Sequence, residues 1–575
     1  MFELDYLFGR GFFSSLDYFF SKYLTQAFKE ENPLVKASLA LVSKALSQGH
    51  VCLDLNDCSS LAMLFSGTEP YDLCPELPGS GKWITALRAS SMVSEDIHTP
   101  LVLDRNNRLY LAKYYDFQKR LARNITDRAG RKQALHGEFC MDADLVDKIV
   151  AEKFSSGDIH SIPQQNAVRN ALLNRFTLIS GGPGTGKTYV INLIKKIFAE
   201  YALVKNMPEP VIICAAPTGK AASKLENGRT IHSVLGVRRN RPDFYFNSDN
   251  QLAADLVIID EASMIDLMLM TRLMEAIPST AGVVLSGDVH QLSSIQAGSV
   301  FSDICRSQAL SKSIFMLDYN FRSQGKSGIE ALSGAINNND ADRVGQLLNS
   351  DAHDDIQFHD FDSGTGWQNF FIPCIKREYR AFVSSSTIEA ALDNMDEFRI
   401  LCAHNSGQFG TLQINNVCEN ILQPENISDI HEKIFKRIIM VKINDYQKGL
   451  FNGDTGVLYE KADGEQAAFF MDQDTGITPF KKADLPAHET AFAITIHKSQ
   501  GSEFKTVLVV IPDRLSQVIT RQLLYTAVTR AKDRLIVAGN MDIIRQAVKL
   551  DVIRNSGLTS MIENMMARRH DNRRQ

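Results

Sequence analysis

The sequence predicts an α/β protein with two tandem nucleotide-binding lobes, and three observations lead there. Short apolar runs end in polar loops four times between residues 175 and 294: RFTLISGGPGTGKT, VIICAAPTGKAA, DLVIIDEASM and AGVVLSGDVHQLSS, with helical stretches between them. Runs that are apolar on both faces and alternate with helices indicate a parallel sheet covered on two sides. A second set follows: EFRILCAHN, TAFAITIHKSQG, KTVLVVIP and DRLIVAG. The third observation is length: 575 residues exceed one core and suggest three to five units at roughly 100–200 residues each.

Composition narrows the class. The chain is 44% hydrophobic and 22% charged, which excludes disorder, collagen or coiled coil as a description of the whole. Lys and Arg number 62 against 67 Asp and Glu, a net charge of −5. Any nucleic-acid binding therefore needs a local basic groove rather than bulk charge. Nine cysteines (Cys52, Cys58, Cys74, Cys140, Cys214, Cys305, Cys374, Cys402 and Cys418) form no CxxC pair. Neither a zinc ribbon nor a redox motif is expected, and the unpatterned count fits a reducing, cytoplasmic setting. The sequons at Asn124 and Asn426 then read as chance. No apolar run reaches about 18 residues, so no membrane span is expected, and the N-terminus lacks a signal-peptide layout.

Residues 1–115 carry no catalytic motif but open with an aromatic stretch, Phe8, Phe12, Phe13, Tyr18, Phe19, Phe20 and Tyr23. Leu16, Phe19, Phe20 and Tyr23 share one helical face. That face either packs on its own helical domain or forms a docking surface for another subunit. Residues 116–160 read as a helical connector, 161–335 as the first lobe and 336–575 as the second. At about 440–488 the NGD and DTG turns with short strands predict a small β insertion in the second lobe. The tail from Arg568 to Arg574 is expected to be frayed and solvated.

Gly181-Gly182-Pro183-Gly184-Thr185-Gly186-Lys187-Thr188 follows an apolar strand and precedes a helical run, the context that makes the pattern a P-loop. Glycines let backbone N–H groups converge on phosphate oxygens. Lys187 reaches the β- and γ-phosphates, the Thr188 hydroxyl serves Mg²⁺, and the helix N-terminus adds its dipole. ATP and Mg²⁺ are thus the expected nucleotide and metal. Gly79-Ser-Gly-Lys82 looks similar, but it lacks a preceding strand and has Trp83 where Ser or Thr is needed. Asp260 and Glu261 end a second apolar strand. The first suits Mg²⁺ and the second can take a proton from attacking water.

Further motifs follow in order: Pro217-Thr-Gly-Lys-Ala-Ala222, Thr230-Ile-His232, Gly287-Asp-Val-His-Gln291, Leu317-Asp-Tyr-Asn-Phe-Arg322, Ala493 to Phe504, and Tyr525-Thr-Ala-Val-Thr-Arg530. Across about residues 160–540 this series resembles superfamily 1 helicases. ISGGPGTGKT, AAPTGKAA, DEASMIDL, GLFNGD and HKSQGSEF resemble most closely the RecD family, α subunits of bacterial RecBCD-type helicase–nucleases. GHVCLD at 49–54 is similar to that family's N-terminal domain.

The resemblance implies two RecA-like lobes, an SH3-like β insertion at 440–488, and a 5′→3′ DNA helicase subunit of an exodeoxyribonuclease V acting in recombinational repair. Its implied partners are single-stranded DNA at duplex ends and the β and γ subunits, with the nuclease site in the β partner. It further implies that Gln291 senses the γ-phosphate or positions water. Arg322 and Arg530 would stabilise transition-state charge from opposite sides of the cleft, a role suited to a planar, permanently charged group. Glu503 would contact the nucleotide's sugar or phosphate edge, and Gln164 would read adenine, with Gln165 as its rival. Strand contacts are expected from loops at the strand ends: Thr218, Lys220, Thr230, His232, His404, Asn405, Thr495, His497 and Lys498. His232 and His497 equally read as satisfied loop histidines. A stand-alone helicase of the same superfamily and an adaptor with a relic ATP fold are the alternatives. Lys187, Asp260, Glu261, Gln291, Arg322 and Arg530 are all present, which argues against the relic.

Overall fold

The computed structural model describes residues 2–572 except 58–60, 63, 66–76, 131–140, 155–157, 239–242, 323–326, 362–366, 423–434, 446, 461–465, 473–475 and 553. Cys58, Cys74, Cys140, Asn426 and the Arg573–Arg574 end of the tail lie outside the described residues.

The N-terminal domain begins with α1 (Leu4–Gly9), α2 (Ser15–Ala27) and α3 (Pro33–Ser47). Ser14 and Asp17 form a reciprocal capping box at the start of α2, and Asn32 caps α3 with Pro33 in its first turn, so both starts are written locally. The domain also holds a small sheet, which the helical expectation did not include. Strands β1 (Leu53–Asp54), β2 (Val93–Ser94), β3 (Leu101–Leu103) and β4 (Arg108–Leu111) pair in the order β1-β4-β3-β2. Each is four residues or shorter, too brief for periodicity to show. The Gly79–Lys82 look-alike opens α4 (Ser80–Arg88), where Trp83 is buried and donates its indole N–H to Ser38 Oγ at 2.6 Å. It packs the core rather than cradling phosphate.

α5 (Ala112–Ala129) runs unbroken through the expected domain boundary at 115. Its Phe117, Leu121 and Ile125 join the core of the first lobe, and Arg128, 4% exposed, donates to the Ala281 and Ile277 carbonyls at 2.9 and 2.7 Å. After α6 (Ala143–Lys153) and α7 (Ile162–Leu173), lobe 1 is a six-stranded parallel sheet in the order β10-β5-β9-β8-β6-β7. Its strands are β5 (Phe176–Gly181), β6 (Ile212–Ala216), β7 (Arg229–Thr230), β8 (Leu256–Ile259), β9 (Gly282–Gly287) and β10 (Ile314–Leu317). The helices α8 (Lys187–Val204), α9 (Gly219–Ala222), α10 (Ile231–Leu235), α11 (Leu267–Ala276) and α12 (Val300–Cys305) connect them. β5, β8 and β9 are buried along their whole length, each large aliphatic contributing about 1.5–3 kcal/mol. That is why these strands read as continuous apolar runs.

Lobe 2 opens with α13 (Gly328–Asn337), α14 (Ala341–Leu348), β11 (Ile356–His359), α15 (Trp367–Glu378), α16 (Arg380–Ser384) and α17 (Ile388–Asn394). β12 (Phe398–Cys402) and α18 (Thr411–Leu422) lead into the insertion. This is an antiparallel sheet, order β16-β15-β14-β13-β17, of β13 (Phe435–Val441), β14 (Thr455–Glu460), β15 (Gln466–Asp472), β16 (Gly476–Lys481) and β17 (His488–Thr490). It is wider than 440–488 because its first strand, FKRIIMV, precedes the NGD turn that marks it in sequence. β18 (Ala493–Thr495), β19 (Phe504–Val510), α19 (Arg521–Val528), β20 (Ala531–Ala538) and α20 (Met541–Lys549) complete a parallel sheet ordered β11-β20-β19-β12-β18.

The chain then returns to lobe 1, so residues 336–575 are not all lobe 2. α21 (Leu558–Asn572) buries Leu558, Ile562 and Met566 in the same core as Phe117 and Leu121. The tail is accordingly helical through Asn572, and Arg569 donates to the Thr126 carbonyl at 2.7 Å and pairs with Asp127. On the way, Arg554 donates to the Ser294, Gln296 and Gly298 carbonyls, and Asn555 exchanges hydrogen bonds with Val51 and His50 of the N-terminal domain. Burial, reinforced by Arg554, pushes His50 down to about 4, so it is the neutral imidazole that accepts the Asn555 N–H.

Candidate active site and strand groove

β5, β8 and β9 lie side by side in parallel register, Ser180 opposite Gly287 and Ile259 opposite Leu285. Their carboxyl ends therefore deliver the P-loop, the Asp260–Glu261 pair and the Asp288–Gln291 loop to one edge, where ligands of open α/β sheets bind. Gly184 and Gly186 have φ of +80° and +86°. A Cβ at Gly184 would lie 2.3 Å from Asn320 Oδ1, and one at Gly186 would lie 2.4 Å from Gln164 Nε2. Both positions need glycine twice over. Lys187 Nζ donates to the Gly181 and Gly182 carbonyls at 2.6 and 3.0 Å, folded back onto its own loop. Thr188 is exposed in the first turn of α8, while Thr185 is buried and donates to Gly182 O at 2.8 Å.

Asp260 Oδ1 accepts from the Glu261 N–H at 2.9 Å and from Ser286 Oγ at 2.8 Å. Two donors on one oxygen fix the carboxylate and leave Oδ2 for a cation. Glu261 has φ +52°, a left-handed backbone outside the usual range for glutamate. Burial, then the Asp260 charge, raises its pKa against the opposing pull of Arg530, Lys187 and Lys224. Gln291 is 4% exposed, and its Nε2 donates to Asp288 Oδ2 at 3.0 Å.

Arg322 pairs across the cleft with Glu503 of lobe 2 at 3.2 Å. Burial works to raise Glu503, but Arg322, Lys224, Arg530 and Lys532 outweigh it and hold it below its usual value. Arg530 is 2% exposed, with Nε on the Thr526 carbonyl at 3.1 Å and a terminal nitrogen on the Ser502 carbonyl at 3.0 Å. Gln164 lies beneath the P-loop, donating to Thr185 O at 2.9 Å, whereas Gln165 donates to Ser161 Oγ at 2.8 Å.

The strand candidates divide. Thr218 and Thr230 are helix caps, accepting from the Ala221 and Ser233 N–H groups. Asn405, exposed, accepts from the Thr411 hydroxyl. Thr495 is 8% exposed and accepts from the Lys498 N–H, and Lys498 Nζ pairs with Glu489. His404 Nε2 meets Ser516 Oγ at 2.9 Å. His232 packs edge-on to Phe244, and burial lowers His232, His404 and His497 alike. Lys220 departs from expectation. Its ammonium lies over the Phe504 ring at 5.4 Å and 4.0 Å from Asp396, both in lobe 2, and burial lowers its pKa. It ties the two lobes together while staying partly exposed.

Several residues at the site escaped motif reading. His160 stacks on Tyr319 at 3.8 Å, and Tyr319 meets Phe321 edge-on at 4.8 Å. The Phe321 N–H donates to Gly184 O at 3.0 Å, which fixes this aromatic group, and Arg322 after it, beside the P-loop. Alternate aromatics immediately before a motif arginine are the available signal. A cavity of about 490 Å³ between the lobes is lined by Gly181–Pro183, Arg322, Asn337, Tyr525 and Lys532 among others.

Comparison with known proteins gives three family matches: the RecBCD enzyme subunit RecD N-terminal domain over residues 9–110, an AAA domain over 164–297, and a UvrD-like helicase C-terminal domain over 490–538. The chain is 32% identical to RecBCD enzyme subunit RecD of Mycolicibacterium smegmatis, covering 93% of this chain and 95% of that one. It is 27% identical to the ATP-dependent RecD2 DNA helicase of Deinococcus radiodurans, covering 64% of this chain and 47% of that one. Among solved structures, a Bacteroides Pif1 helicase in complex with ADP-AlF3 and single-stranded DNA aligns over 72% of this chain and 98% of its own, at 18% identity and a TM-score of 0.39.

Proposed function

The chain belongs to the family of RecBCD enzyme subunit RecD, and from that premise we propose that it is the 5′→3′ strand motor of a helicase–nuclease acting at DNA duplex ends in recombinational repair. It is an ATP-dependent DNA helicase, as its RecD-type relatives and helicase-type domains indicate. The observation that carries the reading is the meeting of both lobes at the P-loop, where Arg322 reaches Glu503 and Tyr525 lies against Gly182. The match over 95% of the length of a RecD subunit, set against 47% of the RecD2 helicase, favours a subunit over a stand-alone enzyme. The β and γ subunits are then its partners. Leu16, Phe19 and Tyr23, 73%, 60% and 73% exposed along α2, offer them an apolar face, so this stripe is read as a docking surface rather than its domain's own core. The cytoplasm, where duplex ends arise, is the expected compartment. Among the described residues no helix is long and apolar enough to cross a membrane.

In this mechanism the P-loop N–H groups and Lys187 hold the β- and γ-phosphates. Thr188 and Asp260 would hold Mg²⁺, which when bound neutralises charge on those phosphates. Glu261 takes the proton of the water attacking the γ-phosphorus as the bond to the leaving oxygen breaks. Gln291 orients that water. Arg322 and Arg530 balance charge on the transferring group, Glu503 releasing Arg322 from its ion pair for the purpose. The His160–Tyr319–Phe321 cluster offers the base an aromatic surface beside Gln164. Closing and opening of the cleft then moves a strand held by Thr218, Thr230, His404, Asn405, Thr495, His497 and Lys498.

Unwinding of fluorescent duplexes by the purified complex, with any partner motor disabled, tests this. Activity should require a 5′ overhang and fall about 10²-fold or more in Lys187→Ala. Preference for 3′ overhangs, or full turnover in Lys187→Ala, overturns it.

A further inference from the structure

Asp288 is a carboxylate for which the ATP chemistry has no use, yet it is 1% exposed and takes three donors. Oδ1 accepts the His290 N–H at 3.0 Å; Oδ2 accepts Gln291 Nε2 at 3.0 Å and the Tyr525 hydroxyl at 3.1 Å. A carboxylate oxygen can face only the NH₂ side of an amide, so this contact fixes which way Gln291 points. The amide's other end, Oε1, is buried with no hydrogen-bond partner among the described residues. An orphaned buried carbonyl costs about 1–3 kcal/mol, and a donor such as the attacking water removes that cost.

Tyr525 belongs to the other lobe. It stands on α19, its ring is 5% exposed, and its hydroxyl lies 3.0 Å from where a Cβ on Gly182 of the P-loop would be. Its neighbour Thr526 accepts the Leu292 N–H on Oγ1 at 3.0 Å, and Gln500 Nε2 donates to the Leu292 carbonyl at 2.8 Å. Three side chains of lobe 2 thus hold the loop of lobe 1 on both sides of Gln291.

We propose that Asp288 and Tyr525 are positioning residues that make Gln291 competent only when the lobes are closed. When α19 withdraws, Tyr525 leaves Asp288 Oδ2, and Leu292 loses both its partners. Asp288 still faces the Gln291 amide, but neither that carboxylate nor the loop through Leu292 is then fixed from lobe 2, so the amide is placed firmly, and hydrolysis proceeds, only on closure. This rests on the reading of Gln291 given above, and the experiment separates the two.

DNA-stimulated ATP turnover of the full chain, with any partner ATPase inactivated, is measured for Tyr525→Phe, Gln291→Ala and the double variant. Tyr525→Phe keeps the ring and removes one hydroxyl. It should lower kcat about 10- to 100-fold with KM for ATP within twofold, and binding of a fluorescent ADP analogue should be unchanged. In the Gln291→Ala background the same substitution should cost nothing further, because its effect runs through that amide. Asp288→Asn should behave as Tyr525→Phe does. Full turnover in Tyr525→Phe, multiplicative losses in the double variant, or a rise in KM without loss of kcat overturns the proposal. Full turnover in Gln291→Ala overturns the role given to the glutamine itself.

Discussion

Glu261 shows how much chemistry a single residue carries in this site. Its left-handed backbone costs about 1 kcal/mol or more for a non-glycine residue, and it turns the side chain off the end of β8 beside Lys187 and Arg530. Glu261→Gln preserves shape and removes the proton acceptor. We expect ATP binding to persist and hydrolysis to fall about 10²–10⁴-fold, read by parallel nucleotide-binding and turnover assays. Because its pKa is raised, the carboxylate is ionised only above the usual range. Turnover should therefore fall with acid at a higher pH than an exposed glutamate would give. Collapse of nucleotide affinity in Glu261→Gln would reassign the residue to the metal. The placement of Lys187 and of Asp260–Glu261 at one sheet edge was legible because each loop directly follows an apolar strand, β5 and β8, of the same parallel sheet. Lys220 was not. Its ammonium reads as a strand contact in its own motif, and only the arrival of Asp396 and Phe504 from lobe 2 shows it to be a part-exposed tie between the lobes. Tyr525 and Asp288 were in view inside quoted motifs, but their contact spans 237 residues of sequence, beyond the reach of local pattern.

The long elements announced themselves and the short ones did not. Strands apolar on both faces gave both parallel sheets, whereas the N-terminal strands were missed because each is four residues or shorter, and β13 because it precedes the NGD turn that marks the insertion. α2 is the element whose sequence left two readings open, since a helical face of Leu16, Phe19, Phe20 and Tyr23 looks the same whether it points inward or outward; Phe20 packs on the domain core, while Leu16, Phe19 and Tyr23 stay exposed. The inward face is instead Asp17, Tyr18, Ser21 and Thr25, with Asp17 accepting from Ser43 at 2.6 Å. The Leu16→Ser, Phe19→Ser, Tyr23→Ser triple variant should therefore fold normally, with a thermal midpoint at or above that of the parent. It should lose co-purification with the β and γ subunits while keeping single-strand-stimulated ATP turnover. Unaltered recovery of the complex would show that the stripe is not the docking surface.

At the scale of the molecule, the second lobe is held by chain at two places. The first crossing runs from β10 to α13, carrying Arg322; the second runs from α20 to α21, carrying Arg554 and Asn555. Ending the chain at Asp551 removes the second crossing and strips Leu558, Ile562 and Met566 from the core around Phe117. At about 1.5–3 kcal/mol per side chain the loss is roughly 5 kcal/mol or more. The truncated protein should melt markedly lower by calorimetry, and the ATP turnover that remains should respond weakly to DNA. An unchanged melting temperature would mean that α21 is dispensable padding. A panel attached at one point can swing, twist and slide, but one attached at two can only turn about the line that joins them. The returning C-terminal helix thus makes the cleft a door on a pair of hinges. We expect such a door to retrace one arc, so that the side chains that meet at the P-loop meet in the same register each time it shuts.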